Sequence, residues 1–209
     1  REVLFTILLV LLLTVLATSS GDTLTFNEIE NELVKHSKEF NRRRVLASSK
    51  LKKHDLASSE DLRERVYWLG YFAKDRRIYE QNRFDPNRLG WHYKDVWKWA
   101  VSIALLESYF VDYRSHDRGL GFGWGALHWS TCKWLAEDVY NWSWSRDKEI
   151  LKRQNHNKND ELQAKYIIGY LYWLHDYYDN NVGKAVTGYN RGTQVTDNYQ
   201  YIAYYLAVA

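Results

Sequence analysis

Apolar residues recur at helical spacing along most of this chain. Phe26, Ile29, Leu33, Val34 and Phe40 lie about one helical turn apart and predict a helix over Phe26 to Phe40. A second helix is expected to start at Ser59, because Glu60 and Asp61 suit the positive end of a helix dipole. It is expected to run through Leu62, Val66, Leu69 and Phe72 toward Tyr79. Pro86 in Phe84-Asp85-Pro86-Asn87 marks a turn before a third helix, about Tyr93 to Tyr109. There Val96, Trp97, Ala100, Val101, Ala104, Leu105 and Ser108 share one face. Further helices are expected over Thr131 to Tyr140, Asp160 to Tyr178, Val182 to Tyr189 and after Thr196, whereas Trp142 to Asn159 is polar and reads as irregular. No stretch carries a strong strand alternation, so the expected class is mainly α.

The run Val3 to Ala17 is apolar and uncharged. A spanning helix needs about 20 apolar residues and a signal-peptide core about 7–15, so length alone fits a signal peptide, with small residues at Ala17-Thr18-Ser19. With no methionine and Arg1 in first place, the chain is expected to be a portion of a longer product. Residues 1–20 are then read as a retained membrane anchor, or else as an apolar helix buried in a larger assembly such as a virus particle. Residues 21–59 read as a helix followed by a basic linker, and residues 60–209 as the functional domain. The linker's Arg42-Arg43-Arg44 and Lys50-Leu51-Lys52-Lys53 suit either a solvated face or attraction to an anionic surface.

Composition narrows the function. The net charge of +3 is too small to argue for nucleic acid, and no such partner is expected. The single cysteine, Cys132, excludes an internal disulfide framework and reads as a packing residue. The seven histidines form no His-Glu-x-x-His pattern, so neither a metal nor another cofactor is expected. Eight of the ten tryptophans fall between Trp91 and Trp144, and most of them must build the core. Of the tryptophan and tyrosine rings together, two or three are expected to meet ligand, because aromatic faces stack on the C–H face of sugar rings.

Within that aromatic region lies Leu105-Leu106-Glu107-Ser108-Tyr109-Phe110. Glu107 ends an apolar helix, beside its buried face and near its negative dipole end, and both effects are expected to favour the protonated acid. A carboxylic acid of that kind can give a proton to a leaving oxygen, as glycosidic cleavage requires. Next comes Gly119-Leu120-Gly121-Phe122-Gly123-Trp124-Gly125, which has neither a P-loop Lys-Ser/Thr nor a dinucleotide fingerprint. It reads as a structural turn, or as a loop that lays backbone amides and ring faces against a flat substrate.

Four blocks in this order carry a resemblance. Glu107-Ser108-Tyr109-Phe110 resembles the Glu-Ser motif of lytic transglycosylases with the soluble-lytic-transglycosylase, goose-type-lysozyme-like fold. Gly123-Trp124-Gly125-Ala126-Leu127 with downstream Thr131 is similar to that family's Gly-Leu-Met-Gln block and Thr. Tyr170-Leu171 with Tyr178-Asp179-Asn180-Asn181 resembles its Tyr-Leu and Phe-Gly-Asn-Asn stretch, and Gly188-Tyr189-Asn190-Arg191-Gly192 its Ala-Tyr-Asn-Ala-Gly motif. The similarity spans roughly Tyr93 to Gly192. It departs at Ala126, where the family has Gln, at Gln163-Ala164, where the family has Asn-Ile, and at Ile167, where it has Gly.

The resemblance implies a lysozyme-like α-helical domain that cleaves the β-1,4 bond between N-acetylmuramic acid and N-acetylglucosamine of peptidoglycan strands. Closure of a 1,6-anhydro ring takes the place of water. It implies Glu107 as general acid and then base, with Tyr189 orienting it. Ser108, Gly123, Trp124, Ala126, Leu127, Thr131 and Asn190 are implied to contact substrate, and His128, in the same loop, reads equally as a sugar contact or as a hydrogen-bonded structural residue. A two-carboxylate hydrolase would need a second acid, for which Asp112 and Asp117 are the nearest candidates. Both sit beside Arg114 and Arg118 and are expected to pair with them.

Overall fold

The computed structural model describes residues 58–82, 93–108, 110–111, 117–153 and 158–193. The expected anchor, the 26–40 helix, the basic linker, Pro86, Asp112, Arg114 and the helix after Thr196 lie outside these residues.

Helices dominate the described residues: α1 Ser59–Ala73, α2 Arg76–Tyr79, α3 Tyr93–Ser108, α4 Trp129–Trp134, α5 Trp144–Leu151, α6 Asn159–Tyr177 and α7 Val182–Arg191. The class is mainly α. Helix α1 begins in a capping box, in which the Ser58 hydroxyl accepts from Asp61 N at 3.1 Å and the Asp61 carboxylate accepts from Ser58 N at 2.8 Å. The expected run to Tyr79 breaks at Lys74-Asp75. There the Asp75 side chain accepts from Arg77 N and starts α2, which tightens into a 3-10 turn at Glu80–Asn82. Helix α4 passes directly into a π-helical turn, Leu135–Val139. Two differences from expectation stand out. Trp144–Leu151 is helical rather than irregular, and Gly121–Phe122 pairs antiparallel with Leu127–His128 as a minimal hairpin, β1 and β2.

Helix α6 runs through the centre. Ala164, Tyr166, Ile167, Ile168, Leu171, Tyr172 and Leu174 are all buried on it, with α1, α3, α5 and α7 packed around. Each fully buried large apolar side chain contributes roughly 1.5–3 kcal/mol. The Tyr172 hydroxyl donates to Ala73 O at 2.6 Å and fixes the end of α1 against α6. Gly169 lets the π-turn region approach α6 closely, since a Cβ there would meet the Tyr140 and Trp142 rings at 3.0 and 2.9 Å.

Two polar networks lock the helices in register. Arg65 of α1 donates through Nε to Asp160 Oδ2 at 3.0 Å and through its terminal nitrogen to Phe110 O. Asp160 Oδ1 accepts from Trp124 Nε1 at 2.9 Å, so one carboxylate joins α1, α6 and the glycine loop. On the far side, buried Asp147 of α5 accepts from Tyr166 Oη at 2.9 Å and from Lys165 Nζ at 3.3 Å. Burial pulls Lys165 below its ordinary range and pushes the Tyr166 phenol up. Among the described residues no helix is long and apolar enough to cross a membrane.

Candidate active site

Helix α3 ends at Ser108, and the chain turns back at once. Phe110 takes a positive φ of 56°, its N–H donates to Ala104 O at 3.3 Å, and its ring stacks on Trp124 at 5.5 Å. Buried beneath, the Ser108 hydroxyl donates to the carbonyls of Ala104 (3.2 Å) and Trp124. The last turn of α3 is thus sewn to the glycine loop, and Glu107 is left half-buried at the edge of the joint.

The hairpin turn from Gly123 to Ala126 sets the opposite wall. Gly123 has φ +74°, and a Cβ there would fall 2.0 Å from Gln163 Oε1. That oxygen accepts from Trp124 N at 2.8 Å, while the Gln163 amide donates to Asn159 Oδ1. Glycine is therefore favoured by the left-handed backbone and required by the close approach of α6. Ala126 also takes the left-handed conformation, at φ 48°.

Helix α7, capped by Asn181 accepting from Lys184 N at 3.0 Å, brings two adjacent residues to this region. The Tyr189 hydroxyl donates to Gly125 O at 2.8 Å. The Asn190 side-chain amide donates to Glu107 Oε1 at 2.9 Å. The phenol expected to orient the acid braces the loop, and the neighbouring amide grips the carboxyl.

These elements enclose a cavity of about 290 Å³ lined by Ala126, Leu127, His128, Thr131, Tyr170, Tyr189, Asn190 and Gly192. Six of the expected site residues meet on its wall: Ala126, Leu127, His128, Thr131, Tyr189 and Asn190. Glu107 joins them through Asn190. Three others stand behind the wall. Ser108 and Trp124 are fully buried, and Gly123 packs on Gln163. Their polar groups hold the loop in place: Ser108 through the Trp124 carbonyl, Trp124 through Gln163 and Asp160. Tyr170 and Tyr189 supply the phenol rings of the cavity wall.

Tyr170 and Gly192 are the lining residues that the expected site left out, although the Tyr-Leu and Gly-Tyr-Asn-Arg-Gly blocks that hold them were visible. The Tyr170 ring lies 5.3 Å from that of Tyr189, and burial pushes its phenol up to about 12, so it remains a hydrogen-bond donor at all ordinary pH. Gln163, which sets the hairpin, carries no local signal of that role. Cys132 is fully buried, and burial raises its thiol well above the ordinary range, which makes it a packing residue and not a nucleophile. Among the described residues no group of three or more His, Cys, Asp or Glu gathers to hold a metal ion. The Asp117 side chain and all of Asp112 lie outside the described residues.

No protein-family model, curated protein or solved structure matches the chain.

Proposed function

We propose that this protein is a peptidoglycan lytic transglycosylase, acting through a lysozyme-like domain. The observation that carries the reading is the Asn190–Glu107 hydrogen bond, which fixes a half-buried carboxyl beside a cavity with two tyrosines on its wall. That is the arrangement a sugar-cleaving acid needs: a positioned proton donor, ring faces for the sugar, and phenol and amide groups for its hydroxyl and N-acetyl substituents. The order of the four sequence blocks that resemble this family supports the same reading.

In the proposed reaction Glu107 gives its proton to the glycosidic oxygen as the C1–O bond of the muramic acid breaks. The departing N-acetylglucosamine leaves with a free hydroxyl. The substrate's own N-acetyl group stabilises the cationic C1. The Glu107 carboxylate then takes the proton of the C6 hydroxyl, and O6 closes on C1 as the 1,6-anhydro ring. The acid is regenerated and no water is consumed. Tyr170, Tyr189 and Asn190 would bind and orient the sugar, and Asn190 keeps the carboxyl on line. The apolar run at residues 3–17 would hold the domain at a membrane facing the periplasm, or within a virus particle, so that cleavage stays local.

Mass spectrometry of digested peptidoglycan tests this directly. Anhydro-muropeptides, one water lighter than hydrolysis products, are expected. Reducing-end products would make the protein a hydrolase. One feature favours a second reading, a structural component that keeps the fold without turnover: the cavity wall has the side chain of Ala126 where the resembling family carries an amide. Absence of any cleaved product would select that reading.

A further inference from the structure

Helix α1 presents a second, larger groove. Its volume is about 610 Å³, twice that of the candidate active site, and Tyr67, Gly70, Tyr71 and Trp97 make its aromatic part. Tyr67 and Tyr71 sit one turn apart on α1 and are 45% and 48% exposed, with ring centres 6.4 Å apart and a tilt of 31°. Tyr71 also meets buried Phe72 edge-on at 5.2 Å, so its ring is anchored on one side and open to solvent on the other. The floor is built for closeness: Gly70 admits the Trp97 indole, whose atoms lie 3.0–3.3 Å from where a Cβ would stand.

The rim is cationic. Lys74, Arg76 and Arg77 line the groove against one acid, Asp75. Arg77 is tied to Asp75 at 2.6 Å and Arg76 to Glu80 at 2.8 Å, yet the two arginine side chains remain 82% and 77% exposed. Both guanidinium groups are thereby held in place with donors still open to solvent. Lys74 Nζ lies 5.1 Å from the Tyr93 ring centre, a cation–π contact at the groove's edge.

We propose that this groove is a second glycan-binding site, which holds an anionic sugar strand away from the point of cleavage. Sugar C–H faces lie on Tyr67 and Tyr71, and strand carboxylates meet Lys74, Arg76 and Arg77. The identity of the strand as peptidoglycan rests on the function proposed above; the aromatic floor and cationic rim do not. Trp97 and Glu107 stand on the same helix, separated by about 15 Å of helix rise, a few sugar units. Such a site would keep the enzyme on an insoluble wall between cleavage events and would matter little for a short soluble fragment.

The test uses the full chain. Co-sedimentation with purified sacculi is measured in a Glu107→Gln background, with and without Tyr67→Ala/Tyr71→Ala, and separately with Lys74→Gln/Arg76→Gln. Turnover of a soluble peptidoglycan tetrasaccharide is measured with Glu107 intact. All four substituted positions are exposed, and circular dichroism checks folding. The expected result is at least fivefold weaker binding to sacculi for either pair, binding that falls with added salt, and tetrasaccharide turnover unchanged within twofold. Sacculus binding that is undiminished in the tyrosine pair overturns the proposal, as it would if the groove served a protein or a lipid surface. Failure of the enzyme reading shows differently, as wild-type protein that binds sacculi through the groove and releases no product.

Discussion

The side-chain amide of Asn190 donates to Glu107 Oε1 at 2.9 Å, joining residues 83 apart in the chain. This bond connects the last turn of α3 to the last turn of α7 at the cavity edge. Asn190 is exposed, and its amide adds nothing to the core, so the bond matters for where the carboxyl points more than for holding the fold.

Asn190→Ala is therefore expected to lower kcat by about tenfold to a hundredfold, the usual cost of a misplaced catalytic group, with Tm within a few degrees of wild type. Steady-state kinetics on soluble peptidoglycan fragments, with thermal denaturation alongside, checks this. An unchanged kcat would remove Asn190 from the positioning role.

Ser108 belongs to the scaffold, since its hydroxyl spans Ala104 and the Trp124 carbonyl with no exposed surface. Ser108→Ala should cost about 1–3 kcal/mol by leaving a buried carbonyl short of a donor. KM should hold within about twofold for a residue that does not touch substrate. Urea denaturation gives the first quantity and kinetics the second. A large rise in KM at unchanged stability would return Ser108 to the substrate.

Gly123 is the tightest point of the loop. Gly123→Ala places a Cβ 2.0 Å from Gln163 Oε1 and adds left-handed strain at φ +74°. Gln163 must withdraw and abandon Trp124 N. A loss of about 2–4 kcal/mol in urea denaturation is expected. Wild-type stability in this variant would mean that the loop is not braced by α6.

Stability should fall in mild acid. His175 is buried against Trp99, ring centres 5.9 Å apart, and burial brings it from 6.5 down to about 4. The unfolded chain binds its proton first, so the contribution is complete above about pH 6.5, shrinks as pH falls, and is exhausted near pH 4. The loss is on the order of 3 kcal/mol over that window. Asp61 acts lower: its bond from Ser58 holds it below 3.8, so its share is lost only as pH drops beneath that value. Urea titrations at pH 7.5 and 4.5 should show the step in wild type and a reduced step in His175→Phe. An equal step in both would assign it to other groups.

Much of the helical layout was legible because apolar spacing reports a one-sided burial. The α3 stripe from Val96 to Leu105 is buried as the spacing predicts, and α7 begins at Val182 as expected. Helix α5 was hidden because its inward face carries Asp147, a charge that Tyr166 and Lys165 satisfy across 19 and 18 residues. No periodicity index recognises a carboxylate as a core residue. The break between α1 and α2 was hidden for a related reason: the apolar pattern continues, and only the Asp75 cap divides it.

Proximity at the site was partly readable and orientation was not. The family resemblance pointed to Glu107, Ala126 to His128, Thr131, Tyr189 and Asn190, and the structure brings them to one locality. Whether a residue in that locality faces the cavity depends on partners far away in sequence. Trp124 turns inward because Asp160, 36 residues on, accepts its indole N–H, and Gly123 is closed off by Gln163. Asp160 stands in no motif, and Gln163 stands where the resembling family has Asn, with nothing local to show that it reaches the loop.

The central claim is that the Glu107 carboxyl does the chemistry. Glu107→Gln keeps the shape and an acceptor oxygen for Asn190 but removes the acidic proton. Wild type and variant, matched in concentration and shown to be folded, are incubated with purified sacculi and the released fragments quantified by mass spectrometry. Anhydro-muropeptides from wild type and a drop of about a thousandfold or more in the variant are expected. Equal release from both proteins would contradict the account.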